Sequence, residues 1–130
     1  FFFQILQIFS FVVGTFSFLH SSAATKSNLG RFPKLKMSGE EIEVVNNPSQ
    51  EKLDALGVFK WGTWGCDVSN FDWTYSDRET AYILEGEVTV APKDGRKAAS
   101  FGKGDLVTFP AGMSCTWDVK KAVSKHFKFG

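Results

Sequence analysis

The chain has 130 residues, of which 43% are hydrophobic and 22% charged, and this composition suits one globular domain with a hydrophobic core. Lys and Arg number 15 against 14 acidic residues, so the net charge of +1 gives no reason to expect a nucleic-acid partner. Two cysteines are too few for a disulfide scaffold, which excludes the small disulfide-rich secreted class.

The first part of the chain differs in composition from the rest. Residues 1–39 contain no Asp or Glu, and seven of the 14 Phe lie within residues 1–18. After residue 39 the chain has 14 acidic and 11 basic residues, so the net charge of that part is −3. We therefore predict that residues 1–36 form a leader outside the fold and that residues 37–130 form the domain.

The leader has several alternative interpretations. Its apolar start followed by small residues at 21–24 is typical of a secretory signal peptide, and a transmembrane helix of about 20 residues is borderline. The lack of acids together with Ser and basic residues is typical of a plastid transit peptide. A further alternative is that the segment is not translated and that the protein starts at Met37. We predict a plastid or cytoplasmic location, with secretion as the alternative, and no membrane association of the mature domain.

The rest of the chain predicts one short helix followed by strands. Residues 42–45 alternate as a strand, and Ser49 and Gly57 are suited to cap a helix over residues 50–56. Later segments are rich in β-branched and aromatic residues, with an Asp-Gly turn at residues 94–95. Many short strands separated by Gly and Pro turns favour an all-β barrel or sandwich. The predicted strands are 58–61, 71–75, two within 79–91 that break at residues 85–86, 98–101, 105–109, 113–119 and 123–129.

Two motifs resemble those of the cupins. Residues 104–115 (GDLVTFPAGMSC) follow the second cupin motif, and residues 79–86 (ETAYILEG) are similar to the end of the first. The resemblance covers residues 58–129, and Trp-rich segments at 71–75 and 115–118 are similar to the cupin domain of (S)-ureidoglycine aminohydrolase. It implies a single antiparallel jelly-roll β-barrel, here with one short N-terminal helix. Plant members of this branch are often targeted to plastids. Relatives of this type commonly form dimers, and we predict a homodimer.

Most positions that bind a metal ion in cupins are changed in this chain. By resemblance, the two His of the first motif fall at Trp73 and Tyr75, and the His of the second motif falls at Cys115. Only Glu79 keeps its ligand type, and the chain has just two His, one of them in the leader. First-row metal sites need three or four suitable ligands. We therefore predict no metal and no other cofactor.

Aromatic residues replace the metal ligands and predict a small-molecule pocket inside the barrel. The candidate catalytic residues are Glu79, Tyr75 and Cys115, although Cys115 is alternatively an inert buried thiol. Phe109 has the alternative of a place in the packed core. Side chains alternate along a strand, so His126 and Lys125 lie on opposite faces. The candidate ligand-binding residues are Trp73, Trp117, Tyr82, Phe109 and His126.

Glu79 has two interpretations, and each favours a different function. Among aromatic residues and without a metal, it is suited to act as a general acid or base. Alternatively, it forms a structural pair with Arg78, Lys125 or a backbone amide. The first interpretation predicts a metal-independent site or enzyme for a nitrogen-rich or sugar-like metabolite. The second predicts a non-catalytic cupin that serves as a binding or accessory subunit, for instance in a plastid complex; an open cavity favours the first and a filled barrel the second.

Overall fold

The computed structural model describes residues 39–130, and the predicted leader lies outside them. Every strand pairing in this range is antiparallel, as predicted for an all-β domain with one short N-terminal α-helix. The elements are β1 (Glu43–Val45), α1 (Gln50–Leu56), a 3₁₀ helix (Val58–Lys60), β2 (Gly62–Cys66), β3 (Ser69–Thr74), β4 (Glu79–Pro92), β5 (Ala99–Gly102), β6 (Leu106–Phe109) and β7 (Ser114–Phe129).

The two longest strands, β4 and β7, pair with each other along their whole length and organise the barrel. The first half of β4 also pairs with β6, and β6 pairs with β1. The second half of β4 pairs with β5. In the same way, β7 pairs with β3 through its first half and with β2 through its second half. Each long strand therefore takes part in two layers, β1-β6-β4-β7-β2 and β5-β4-β7-β3, as a jelly-roll barrel requires.

The long strands bend where their pairing becomes irregular, between Ile83 and Val88. Gly86 lies in this bend with φ of 108°, and a Cβ there would come within 2.7 Å of the Ala122 carbonyl oxygen and of the Val123 Cα. Only glycine combines this backbone with so close a neighbouring strand. The predicted break into two strands is therefore wrong, because the chain forms a bulge within one continuous strand.

The N-terminal helix has the predicted caps. The Ser49 hydroxyl accepts a hydrogen bond from the Lys52 backbone N–H at 3.2 Å, and Gly57 ends the helix with φ of 67°. The strand predicted at residues 58–61 is wrong, because the chain turns from Gly57 directly into the 3₁₀ helix, where the Lys60 N–H donates to the Gly57 carbonyl. Within residues 39–130, no helix has the length and apolarity needed to cross a membrane.

The hydrophobic core takes residues from both layers of the barrel. On β7, Cys115, Trp117 and Val119 are each no more than 2% exposed, while the residues between them are partly exposed. These three side chains therefore form the inward face of the strand. Among the other core residues are Tyr75, Ala81, Ile83, Val88, Val90, Phe101, Val107, Phe109, Met113 and Val123.

Candidate functional site

A cavity of about 450 Å³ lies beside β7, large enough for a small organic molecule. Its lining comes from β2, β3, the start of β4 and both halves of β7, with one residue from the β3–β4 connection. Most of the walls are aromatic, and three charged side chains are included. The lining residues are Trp64, Phe71, Asp72, Trp73, Tyr75, Glu79, Trp117, Lys125, Phe127 and Phe129.

Tyr75 is held in the cavity wall by the Pro-x-Gly turn of the second motif. The Gly112 N–H donates to the Tyr75 carbonyl at 2.6 Å, and the Tyr75 N–H donates to the Met113 carbonyl at 2.9 Å. Gly112 has φ of 76°, which favours glycine at this turn. The Tyr75 ring stacks on Phe109 with 4.7 Å between the ring centroids. The turn between β6 and β7 therefore fixes the backbone of this cavity residue, and the last residue of β6 fixes the orientation of its ring.

The Tyr75 phenol is a hydrogen-bond donor at neutral pH. Burial raises its pKa well above the usual range, and the neighbouring Glu79 charge raises it further. Its oxygen accepts a hydrogen bond from the Trp117 indole N–H at 3.2 Å. Among residues 39–130, no acceptor takes the phenol hydrogen, so this residue of the cavity lining has one unused donor.

Glu79 and Lys125 form a buried ion pair in the cavity wall. Lys125 Nζ lies 2.5 Å from Glu79 Oε1, and the two side chains are only 6% and 5% exposed. Arg78, the other charged partner expected for Glu79, instead lies 3.5 Å from Glu40 at the surface. Each charge of the buried pair compensates the other, because an unpaired charge at this depth would be costly to desolvate.

The ammonium of Lys125 is also surrounded by aromatic rings. Its Nζ lies 5.0 Å from the centroid of Trp117, 5.1 Å from Trp64, 5.4 Å from Phe127 and 5.9 Å from Phe109. The negative faces of aromatic rings attract cations at such distances, most strongly when water is excluded. The protein therefore supplies its own cation to this aromatic cage, and Glu79 neutralises it.

The structure brings four of the predicted site residues together in the cavity lining: Glu79, Tyr75, Trp73 and Trp117. Trp117 is buried, while Trp73 is 50% exposed. Phe109 does not line the cavity but packs behind Tyr75 in the core.

Cys115 lies in the core beneath the cavity and is fully buried. Its thiol donates to the Trp73 carbonyl oxygen at 3.6 Å. Burial raises the pKa of Cys115 to about 11, with a further contribution from the Asp72 charge. The thiol is therefore protonated at neutral pH, whereas a nucleophilic cysteine needs a lowered pKa.

Tyr82 and His126 are not brought to the cavity. They face each other in the β4–β7 pairing on the outside of the barrel and contact the exposed ring of Phe59, with centroid distances of 6.0 and 5.7 Å. His126 Nδ1 is buried there and has no hydrogen-bond partner among residues 39–130. We call Phe59, Tyr82 and His126 the outer cluster; its position agrees with the face predicted for His126.

Lys125 is the main site residue that the sequence analysis did not assign to the pocket. Lys125 lies on the same face of β7 as Val123 and Phe127, because residues two apart in a strand share a face. A charged side chain therefore occupies an inward position between two apolar ones. A charge on the inward face of a barrel strand is a detectable sign of a buried partner.

The residues of this cavity do not fit the metal ion that many cupins bind. Trp73, Tyr75 and Cys115 stand at the expected His positions, and one carboxylate oxygen of Glu79 is engaged by the Lys125 ammonium. In the described part of the chain, no three His, Cys, Asp or Glu side chains are grouped so that they could hold a metal ion.

The antiparallel barrel with its two long bent strands defines the protein as a small cupin. The EutQ-like cupin domain model matches residues 53–127, more than half of the chain, and the chain belongs to this family. No curated protein matches the chain.

The chain is also similar to solved structures. A DUF861 family protein from Thermotoga maritima is 47% identical, with a TM-score of 0.66, and the match covers 69% of this chain and all of that one. The EutQ protein of Clostridium difficile is 21% identical with a TM-score of 0.46, and the match covers 51% of each chain. The Thermotoga protein therefore has the same fold over the whole of its length.

Proposed function

We propose that this cupin binds a small polar organic molecule in its aromatic cavity and does so without a metal ion. The observation that carries the proposal is that the Glu79–Lys125 pair lines an open cavity and is not enclosed in a filled core. Apolar walls with a few convergent polar groups are typical of small-molecule sites. An open cavity at Glu79 favours a ligand site over a purely structural barrel, whose interior would be filled.

Exposed aromatic rings at the cavity give a second line of support. Trp64, Trp73 and Phe129 are 39%, 50% and 52% exposed, although each lines the cavity. Large apolar side chains left in water are unfavourable, and a bound molecule would cover them.

Catalysis in the same cavity is the second candidate. Tyr75 supplies a protonated phenol and Glu79 supplies a carboxylate, the pair of groups that general acid–base chemistry uses. An activity like that of (S)-ureidoglycine aminohydrolase belongs to this candidate and rests on the motif resemblance alone. A role in a plastid complex belongs to the alternative of a non-catalytic binding or accessory subunit. Homodimer formation stays a prediction.

A thermal-shift screen of the full chain with small polar metabolites tests the proposal, because a ligand that binds the folded state raises the melting temperature. Trp73→Ala removes a half-exposed cavity wall, and Phe59→Ala removes an equally exposed ring of the outer cluster. We expect Trp73→Ala to reduce the ligand-induced shift and Phe59→Ala to retain it. The proposal fails if no compound stabilises the wild type or if both variants respond alike.

A further inference from the structure

We infer that the cavity is built for an uncharged, flat ligand with an amide edge, meaning a carbonyl oxygen next to an N–H, as in a lactam ring. This inference rests on the proposed function, because it names the class of molecule for the same cavity.

The first reason to expect an amide edge is that several hydrogen-bonding groups of the cavity residues are unused. The Lys125 ammonium has three N–H donors and gives one of them to Glu79 Oε1. Among residues 39–130, the second oxygen of Glu79 has no donor and the phenol hydrogen of Tyr75 has no acceptor. Unused donors and an unused carboxylate oxygen therefore belong to residues that line the same cavity. An amide edge is complementary, since it presents an acceptor and a donor on neighbouring atoms.

The charge balance of the cavity carries the second step. The charges of Glu79 and Lys125 neutralise each other. The carboxylate of Asp72 takes no part in this ion pair; it is paired with the Lys93 ammonium at 2.6 Å and accepts a hydrogen bond from the Thr116 hydroxyl at 2.8 Å. An anionic ligand would compete with Glu79 for Lys125, and a cationic ligand would compete with Lys125 for Glu79. Either competition leaves one buried charge without its partner. A neutral ligand satisfies the unused groups and keeps the ion pair intact.

The aromatic walls carry the third step. Trp117 is stacked with Phe71 at 6.0 Å and 14°, and Tyr75 is stacked with Phe109, so these cavity rings are held in fixed planes. Flat rings pack against such surfaces with little loss of conformational freedom. The affinity of the cage for a cation is already used by Lys125, which counts against a quaternary ammonium ligand.

Four matched probes test this inference on the full chain by isothermal calorimetry and by NMR of the Trp indole N–H groups. 2-Pyridone has the amide edge, and N-methyl-2-pyridone keeps the carbonyl but lacks the N–H donor. Benzoate and benzylammonium have similar size and opposite charges. We expect 2-pyridone to bind about tenfold more tightly than N-methyl-2-pyridone, the effect of one hydrogen bond to a charged group, and more tightly than both ions.

A variant that removes both charges supplies the control. Glu79→Gln combined with Lys125→Met preserves side-chain size. We expect its preference for 2-pyridone over N-methyl-2-pyridone to be smaller than that of the wild type, because the neutral Gln amide oxygen accepts a weaker hydrogen bond than a carboxylate. The wild-type comparison decides the question even if this variant does not fold. A charged probe that binds in the cavity as tightly as 2-pyridone, or equal affinities of the two pyridones for the wild type, would overturn the inference and leave the proposed function standing. Failure of all four probes, together with a metabolite screen without a hit, would overturn both.

Discussion

The inner and outer faces of β4 and β7 carry similar residues and build different surfaces. On the inner face, Glu79 and Lys125 form an ion pair in a cavity walled by aromatic rings. On the outer face, Tyr82 and His126 pack edge-on against the exposed ring of Phe59 and do not line the cavity of Glu79 and Lys125. Neighbouring residues such as Lys125 and His126 therefore belong to different environments, because side chains alternate along a strand.

The comparison shows that aromatic and titratable residues alone do not define a site. The inner face has complementary charges and unused hydrogen-bonding capacity in residues that line a cavity of about 450 Å³. The outer cluster is held by contacts between rings, and within the described part of the chain His126 Nδ1 has no hydrogen-bond partner. The inner face is therefore expected to respond strongly to changes of charge, and the outer face is not.

The largest effect is expected for Lys125→Met. The change leaves the Glu79 carboxylate buried without a counter-charge, and we expect a loss of about 3–5 kcal/mol in the free energy of unfolding. Urea denaturation of the wild type and the variant measures this loss. A loss below about 1 kcal/mol would show that the pair contributes little, and the contrast between the two faces would then disappear.

Glu79→Gln should cost less than Lys125→Met, which sharpens the same comparison. After Glu79→Gln, the Lys125 ammonium still has the rings of Trp64, Trp117 and Phe127 within 5.4 Å. After Lys125→Met, Glu79 has no comparable compensation. The double variant should recover most of the stability lost in Lys125→Met, because neither charge remains to be stranded. Equal losses in the two single variants would contradict the role given to the aromatic cage.

Tyr→Phe changes on the two faces should differ by about 1–3 kcal/mol in the free energy of unfolding that each change costs. Tyr75→Phe removes the acceptor of the buried Trp117 indole N–H, and an unpaired buried donor is costly. Tyr82→Phe removes a hydroxyl that has no hydrogen-bond partner among residues 39–130, so we expect a change within about 0.5 kcal/mol. Urea denaturation measures both losses, because a shift of the midpoint at an unchanged m-value reports a change in the free energy of unfolding. Similar losses at the two positions would contradict the assignment of faces.

A smaller effect is expected at alkaline pH, from Cys115. The pKa of its thiol is raised to about 11, so the folded protein holds this proton more tightly than the unfolded chain does. Below about pH 9 this tighter hold on the proton contributes fully to the free energy of unfolding. The contribution is lost as the pH rises towards 11, by about 1.4 kcal/mol per pH unit at most. Denaturation between pH 8 and 11 should therefore show a shallower decline for Cys115→Ala than for the wild type. Parallel curves would mean that the thiol titrates equally in both states.

The smallest effect is expected for His126→Phe in the outer cluster. The new ring retains contact with Phe59, and the change removes a buried nitrogen without a hydrogen-bond partner among residues 39–130. We expect stability within about 0.5 kcal/mol of the wild type and unchanged ligand binding. A loss of ligand binding in this variant would show that the outer cluster takes part in the site.

The parts of the fold that depend on local rules could be predicted from the sequence. The caps Ser49 and Gly57 and the inward face of β7 follow from capping and alternation. The 3₁₀ helix at residues 58–60 has a composition that favours a strand, so local propensity gave the wrong element. Strand β2 was missed because two of its five residues are Gly. Gly65 is needed there, since a Cβ would lie 2.7 Å from the Val123 carbonyl oxygen.

The candidate site could be predicted in part. Glu79, Tyr75, Trp73 and Trp117 were found through the motifs, and all four line the cavity. The partner of Glu79 could not be selected, because the Cα of Lys125 pairs with Ile83, four residues along β4. The contact depends on the register of two distant strands and on the reach of a long side chain, which a single sequence does not specify.

The most direct test of the cavity as a ligand site uses the four Trp indole N–H signals of the full chain. Trp64, Trp73 and Trp117 line the cavity, whereas Trp61 does not line it and lies 5.0 Å from the Lys128 ammonium. Two-dimensional NMR of uniformly ¹⁵N-labelled protein should show shifts of the three cavity indoles with each compound that raises the melting temperature, and a constant Trp61 signal. A shift of Trp61 alone, or no indole shift with a stabilising compound, would contradict ligand binding in this cavity.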